Sequence, residues 1–529
     1  MNKITNKTQE KDLKQDLLTK LDAFFKKNEN SVFYISLFFT ILFSLLLFDP
    51  KVSAGGDDSA YVIRAFKFIK EFKFPTFQGP LYPIILSPFV AIFGIQIKLL
   101  KGLSLIFMIG HLFFFHKTFK DRIPATLHAS ALLIISLSSS YLYFSYQTYV
   151  EAFYLFVQSI GIWIFVKYFI DGEEHKFNLK TDYKKYLYLG LVILVMGLTR
   201  SVGYATIGVV IIFFMVYKKW QAILPTVASF GILYILYSML RRLIWGIHGA
   251  DFSGQGKGLM YKNYYSHAEG KEDLAGFLQR FIDNSNLYLS KHLYIFMGVR
   301  KETVPMTVIP WLTIFTYALF IVAIIFVIRK NKYLFLASVY TGVLCFITFL
   351  IIQKSWDQAR LIIPYYPMIL LVLLASIYYV LKKISNNILK LTLPVIVIII
   401  LFSSFKVCAL KSKKNSELKG PWYGQTPDWI NYIKCSKWCA KGLPKNAVIG
   451  SRKPGISFMY SGGRNFEGIY KFPTLNSAEI LNNMKDSVYI ISPLNEIYSK
   501  IKDNNFQFYF KQHLSFVINN KGLRVEHAN

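Results

Sequence analysis

The chain has 529 residues, 53% of them hydrophobic, 17% aromatic and only 17% charged, and its mean hydropathy is +0.36. That composition excludes an ordinary soluble protein and indicates an integral membrane one. The formal net charge is +31, from 61 Lys and Arg against 30 Asp and Glu, but the bases fall in short loops between apolar runs and no nucleic-acid-binding motif accompanies them, so no nucleic-acid partner is expected.

In chain order, residues 1–30 are polar and Lys-rich and read as a cytoplasmic segment. The run "SVFYISLFFTILFSLLLF" (31–48) is the first membrane span. Val52-Ser53-Ala54 resembles a signal-peptide cleavage site, but the polar leader and the apolar run are both long for a signal peptide, which favours an uncleaved span. Directly after it stands "SAGGDDSAYVIRAFKFIKEF" (53–72), with two adjacent carboxylates, Asp57 and Asp58, where a helix leaves the bilayer. From Ser59 the pattern is amphipathic: Tyr61, Ala65, Phe66, Phe68, Ile69 and Phe72 against Arg64, Lys67, Lys70 and Glu71. One Asp can cap this helix; a second, beside Gly55-Gly56, is not explained by capping alone. The run 81–95 is short and holds Pro83, Pro88 and Gly94, so it reads as a re-entrant or interfacial segment.

Leaving that run out makes the positive-inside rule work along the whole chain. The further spans are then 99–115, 123–140, 152–170, 186–199, 202–217, 222–240, 306–328, 333–352, 361–381 and 389–405, eleven in all with the first. Each expected inner loop carries Lys or Arg, among them "HKTFKDR" (116–122), Lys184-Lys185, Lys218-Lys219, "RKNKY" (329–333) and "KKISNNILK" (382–390). The N-terminus is then inside and the C-terminus outside. The aromatic stretch "SYLYFSYQTYVE" (140–151) reads as an interfacial belt.

Residues 31–405 thus form the membrane domain, and 406–529 change character. Turn signals ("KGPWYGQTP", "YSGGRN") and short β-like runs appear at 447–451, 487–492 and 506–510, with "TPDWINYIK" as a capped amphipathic helix. This is expected to be a small α/β domain on the outer face. Cys435 and Cys439 would meet an oxidising compartment there, which leaves a disulfide, free thiols or a metal site open. Cys345 and Cys408 read as apolar filler.

This topology gathers Asp57, Asp58, Glu151, Arg200, Arg241, Arg242, Lys354, Asp357 and Arg360 at the outer ends of spans or in outer loops. Acids and bases at one water–lipid boundary suit attack on an anionic, lipid-anchored donor, with a carboxylate as base and cations holding phosphate. Arg200 interrupts an apolar stretch and needs a partner. Glu151 alone could be a helix cap, and Arg360 alone a positive anchor at the interface.

The string "GGDDSAYVIRAFKFIKEFKFPTFQGPLYPIILSPFVAIFG" resembles the first outer loop of membrane glycosyltransferases of the GT-C superfamily, nearest the protein O-mannosyltransferase and aminoarabinose-transferase-like group (glycosyltransferase families 39 and 83). "YQTYVEAFYLF" (146–156), "GLTRSVGY" (197–204) and "QARLIIPYYPMILLVLL" (358–374) follow in that family's order. The resemblance implies an all-α polytopic membrane protein: a GT-C-like bundle of about 11 transmembrane helices, interfacial helices in the first outer loop, and a C-terminal α/β extracytoplasmic domain. It implies an inverting hexosyl- or pentosyl-transferase that takes sugar from a polyprenyl-phosphate-linked donor in the cytoplasmic membrane and gives it to a lipid, glycan or protein acceptor. It implies Asp57 as base, Asp58 and Glu151 as further acids, and Arg200 and Arg360 near the donor phosphate. Where relatives often carry a phosphate-binding lysine, this chain has Gln78-Gly79-Pro80; Lys354, Arg241 and Arg242 are the substitutes considered, with Lys354 taken as the third phosphate contact. No cofactor is required, and two adjacent carboxylates leave a divalent cation open.

Two other classes compete. A polysaccharide polymerase or ligase would use basic residues of a large late loop, here Arg241, Arg242, His248, His267, Arg280 and His292 in 241–304. A transporter or flippase would show internal repeats and mid-membrane charges, and neither is visible.

Overall fold

The computed structural model describes residues 16–53, 56–172, 178–249, 253–300, 307–353, 355–417, 424–443, 449–451, 453–468, 489–492, 516–519 and 522–525. The chain is dominated by helices: α1 Leu17–Lys27, α2 Glu29–Leu46, α3 Asp57–Glu71, α4 Leu81–Phe93, α5 Ile97–Phe119, α6 Ala125–Leu137, α7 Val150–Phe165, α8 Leu179–Thr199, α9 Thr206–Val216, α10 Ile223–Trp245, α11 Leu274–Leu287, α12 Pro310–Lys330, α13 Lys332–Ile351, α14 Tyr366–Lys383 and α15 Thr392–Glu417. Eight, namely α2, α5, α7, α10, α12, α13, α14 and α15 with their short extensions, are long and apolar enough to cross a membrane. A bent pair, Ala125–Leu137 and Ser139–Tyr146, makes up to nine. The protein is an integral membrane protein.

The eleven expected spans all fall on helices, but two do not qualify as spans by length and composition among the described residues. The first turns of α8 carry Lys180, Asp182, Lys184 and Lys185, and α9 with its 3₁₀ lead-in Ser201–Ala205 is short. The third expected span is broken by 60° at Ser138, whose backbone is extended and whose side chain accepts from the Tyr141 N–H to cap the next helix, while its hydroxyl donates to the Phe296 carbonyl at 2.6 Å. The last span runs on to Glu417, past residue 405, because no Pro or Gly stops it.

Helix α14 is buried over most of its surface, as an element apolar nearly all round should be. The other helices pack around it, and polar ties gather the loops at two ends. At one end Lys26 pairs with Asp121, Arg122 with Asp171 at 2.7 Å, and Lys390 with Asp16. There too Lys219 Nζ donates to the Phe169 carbonyl at 2.9 Å and Lys332 Nζ to the Ile170 carbonyl at 2.8 Å. These are the segments read from sequence as lying on one side, and residues 17–27 join them as helix α1.

After α15 come α16 Pro427–Gly442 and α17 Pro454–Tyr460, with a five-stranded sheet in the order β2-β1-β3-β4-β5. Its strands are β1 Ile449–Ser451, β2 Glu467–Gly468, β3 Tyr489–Ser492, β4 Phe516–Asn519 and β5 Gly522–Val525. β1 pairs in parallel with β2 and β3, while β3–β4 and β4–β5 are antiparallel. Two of the expected β-like runs thus appear as β1 and β3; the run 506–510 lies outside the described residues, and β4 and β5 were not anticipated. Helix α16 matches the expected amphipathic one, though Thr426 makes no side-chain capping bond and Pro427 at the first helical position starts the helix. Cys435 and Cys439 are both buried on it, one turn apart.

Candidate functional site

The site is built where α3 leaves the end of α2. Gly56 precedes the helix at φ +79°, a left-handed conformation that glycine adopts without steric cost. Asp57 and Asp58 then occupy the first turn, where the helix dipole favours negative charge. Their side chains do different things. Asp58 is 1% exposed and accepts from the Ser53 and Ser59 backbone N–H groups, each at 2.8 Å, and from Ser53 Oγ at 3.1 Å. Burial pushes its pKa above the ordinary carboxylate value, against the pull of those donors and the Lys101 charge. The fully buried Lys101 ammonium donates to the carbonyls of Asp49 (2.7 Å) and Lys51. Asp58 and Lys101 therefore fix the loop 49–53 that presents Asp57.

Asp57 faces the other way. Its Oδ2 lies 2.5 Å from Nη1 of Arg360, both side chains being partly exposed. The Arg360 guanidinium stands 5.6 Å from the centroid of the Tyr149 ring, and its Nε donates to Gln358 Oε1 at 2.8 Å. Burial alone would lower its pKa; the nearby Glu151 and Asp57 carboxylates outweigh that and raise it. Arg200, in extended backbone between α8 and the Ser201–Ala205 turn, reaches Glu151 Oε1 at 3.3 Å and the Arg360 carbonyl at 3.4 Å. Glu151 is 2% exposed, and its Oε2 has no hydrogen-bond partner among the described residues. Tyr61, buried one turn beyond Asp57, has its hydroxyl pKa driven up first by burial, then by Glu151 and Asp57, with Arg200 and Arg360 opposing.

The segment carrying Arg360 is stapled from behind. Tyr288 Oη donates to the Trp356 carbonyl at 2.7 Å, His292 Nε2 lies 2.7 Å from Asp357 Oδ1, and Lys291 pairs with the other oxygen of Asp357. Lys291 and His292 end a π-helical turn, Tyr288–His292, that follows α11. Burial tends to raise the Asp357 pKa, but Lys291 and His292 win and hold it below the ordinary value.

The sequence reading thus selected Asp57, Glu151, Arg200 and Arg360, and the structure brings these four together. Asp58 adjoins them with its oxygens turned to the backbone, and Lys354 lies outside the described residues. Arg241 is buried on α10 and donates to the Gly249 carbonyl, while Arg242 is exposed. Sequence missed Tyr149, Arg64 and Lys101. The stretch 140–151 is not a lipid-facing belt: Tyr141, Phe144, Tyr146 and Tyr149 are buried, and Tyr149 Oη sits 2.7 Å from Ser53 Oγ. A cluster of five aromatic residues cut by a helix break was the available signal. In the late loop, Arg280 binds Glu272 and the carbonyls of Leu259 and Tyr261, and His267 stacks on Tyr261, so these groups serve the loop's own structure.

The adjacent carboxylates do not fit a divalent cation in this arrangement. Asp58 spends its oxygens on N–H and O–H donors, and Asp57 holds a guanidinium. Among the described residues no group of three or more His, Cys, Asp or Glu could hold a metal.

No protein-family profile and no curated protein sequence matches the chain. Solved structures do match in fold. ArnT from Cupriavidus metallidurans bound to undecaprenyl phosphate superposes with a TM-score of 0.56 at 11% identity, over 92% of this chain and 97% of that one. The archaeal oligosaccharyltransferase AglB from Archaeoglobus fulgidus, in complex with an inhibitory peptide and a dolichol-phosphate, gives 0.54 at 10% identity over 94% and 76%. An Archaeoglobus fulgidus oligosaccharyltransferase in complex with zinc and sulfate gives 0.54 at 11% identity over 87% and 67%. The fold is of the GT-C type: a polytopic helical membrane bundle with short amphipathic and apolar helices after its first span.

Proposed function

We propose that the chain is a glycosyltransferase that moves a sugar from a polyprenyl-phosphate-linked donor to an acceptor at the outer face of the cytoplasmic membrane, with its N-terminus cytoplasmic and residues 406–529 outside. One observation carries this reading: Asp57, Glu151, Arg200 and Arg360 arrive from four separate segments and pair at one end of the bundle around buried Tyr61. The fold likeness to proteins crystallised with undecaprenyl phosphate or dolichol-phosphate supports it.

On this reading Asp57 is the general base. It takes the proton of the acceptor nucleophile as that atom attacks the anomeric carbon, on the side opposite the phosphate, so that configuration inverts. The bond from the anomeric carbon to the phosphate oxygen breaks, and its electron pair leaves with the lipid phosphate. Arg200 and Arg360 stabilise that leaving charge through charge-assisted hydrogen bonds, with Lys354 as a further contact. The Asp57–Arg360 pair gives the order of events: a donor phosphate competes for Arg360 and releases Asp57 to act as base. Glu151, the buried partner of Arg200, is a further acid that sets the position of that guanidinium. Asp58 is a positioning residue that sets the start of α3.

The test is transfer in membranes supplied with labelled polyprenyl-phosphate sugars, wild type against Asp57→Asn and Asp58→Asn at equal expression. Asn preserves size and the ability to cap, so Asp57→Asn should abolish transfer while leaving the fold intact. Transfer that survives Asp57→Asn removes the base assignment. A wild type inactive with every donor removes the glycosyltransferase reading and favours a transporter.

A further inference from the structure

Helix α3 carries a third cation on the face that presents Asp57. Asp57, Tyr61 and Arg64 stand at positions i, i+4 and i+7, which is one stripe of an α-helix. Arg64 is half-buried, 5.9 Å from the Tyr61 ring centroid and 5.5 Å from that of Phe77. Its one hydrogen bond runs from Nη1 to the neutral Oε1 of Gln78, at 2.7 Å. Among the described residues no carboxylate forms an ion pair with it, whereas Arg360 is paired with Asp57 and Arg200 with Glu151. A guanidinium offers five N–H donors in a planar fork, so four are left without an acceptor. The side chain is only half-buried and so keeps access to solvent. Burial draws its pKa down while Tyr61 and Asp57 draw it up, which places Arg64 inside the electrostatic reach of the base. A desolvated guanidinium without a counter-ion is costly, and an arriving anion removes that cost.

Resting on the glycosyltransferase reading, we propose that Arg64 is a phosphate-binding residue of this site and that it receives the donor's phosphate first, because its charge, unlike those of Arg200 and Arg360, is not already neutralised by a carboxylate. Arg360 and Arg200 then join after the phosphate has begun to compete with Asp57 and Glu151. Gln78 aims the fork and, being neutral, leaves its charge available.

The test is binding of radiolabelled undecaprenyl phosphate to the purified full chain in detergent, with thermal unfolding as the fold control. Arg64→Gln should weaken binding about ten- to hundredfold, the worth of a charge-assisted hydrogen bond. Gln78→Glu is the sharper variant. It keeps, and strengthens, the contact that ties α3 to the 73–80 loop, yet it neutralises Arg64, so binding should fall as it does in Arg64→Gln. A merely structural Arg64 would tolerate Gln78→Glu, and full binding by that variant overturns the proposal. Unlabelled inorganic phosphate at matched concentration separates the two phosphate sources: failure to displace the lipid supports a lipid headgroup site, and equal displacement overturns it. A wild type that does not bind the lipid defeats the glycosyltransferase reading itself; wild-type binding left unchanged in both variants defeats only the role of Arg64.

Discussion

Arg200 and Arg360 are the same side chain in two surroundings, and they should fail differently. Arg200 pairs with Glu151, whose carboxylate is almost sealed from solvent. Arg200→Ala strands that charge, at a cost of about 3–5 kcal/mol. The Arg360–Asp57 pair is partly exposed on both sides, so Arg360→Ala should cost about 1 kcal/mol or less in stability while still removing transfer. Unfolding of the two variants in one detergent checks this; equal losses would show that the Glu151 site is wetter than its geometry indicates. Asp357 gives a pH prediction with a definite sign. Folding lowers its pKa from 3.8, so its pairing with Lys291 and His292 adds stability above that value and loses it as pH falls through the lower folded pKa. Thermal unfolding followed from pH 6 to pH 3 should fall less steeply in Asp357→Asn than in wild type. At this scale the sequence exposed the charged residues because each stands at the end of an apolar run. It could not expose their pairing, since Arg64 and Gln78 or Tyr149 and Arg360 meet only through tertiary packing.

Between elements, the tightest approach near the site is a glycine. A Cβ on Gly79 would overlap the Thr199 carbonyl oxygen, so the loop after α3 presses on the end of α8 next to Arg200. Gly79→Ala should cost about 1–3 kcal/mol by overpacking. It should also lower transfer by displacing Arg200, a loss readable as reduced turnover at unchanged expression. Full activity would mean that the loop yields without moving Arg200. The long apolar helices were legible from length and hydropathy, which are local properties. The break at Ser138 was not, because among Ser136, Ser138, Ser139 and Ser140 nothing marks Ser138 as the one that caps a new helix. The amphipathic face of α3 was legible, but which of its residues stand over Asp57 depends on where the helix begins, and Gly56 decides that.

For the whole molecule, the loops sort into two polar ends, and the proposed orientation assigns each end to a compartment. Ser266 and Ser385 are exposed and lie in loops expected on opposite sides. A membrane-impermeant thiol reagent should label Ser266→Cys in intact cells and Ser385→Cys only after permeabilisation; the reverse pattern would invert the topology and put the site in the cytoplasm. The C-terminal part also reaches the site helix. The Val52 N–H donates to Tyr460 Oη at 3.2 Å, and Phe458 meets Phe66 edge-on with ring centroids 5.2 Å apart. The small outer domain was legible from its turn signals, but its seat against α3 was not, because no pattern within 406–529 names a partner in 52–66.

The 26-residue helix Trp220–Trp245 is the least buried of the spanning helices, and at its end Trp245 Nε1 donates to the Phe72 carbonyl at 2.9 Å, among the rings of Phe68, Phe72 and Phe74. Its apolar stretch, 222–240, is about 28 Å long before Arg241 and Arg242, so it matches one bilayer thickness and must lean in a thinner one. The lean depends on how thick the surrounding lipid is, and the tryptophan passes that inclination to the end of the helix bearing Asp57. On the proposed function, turnover then varies with the thickness of the membrane. Reconstituted into vesicles of graded acyl-chain length, the protein should show a turnover optimum at one thickness, and replacing Trp245 by Ala should flatten that dependence.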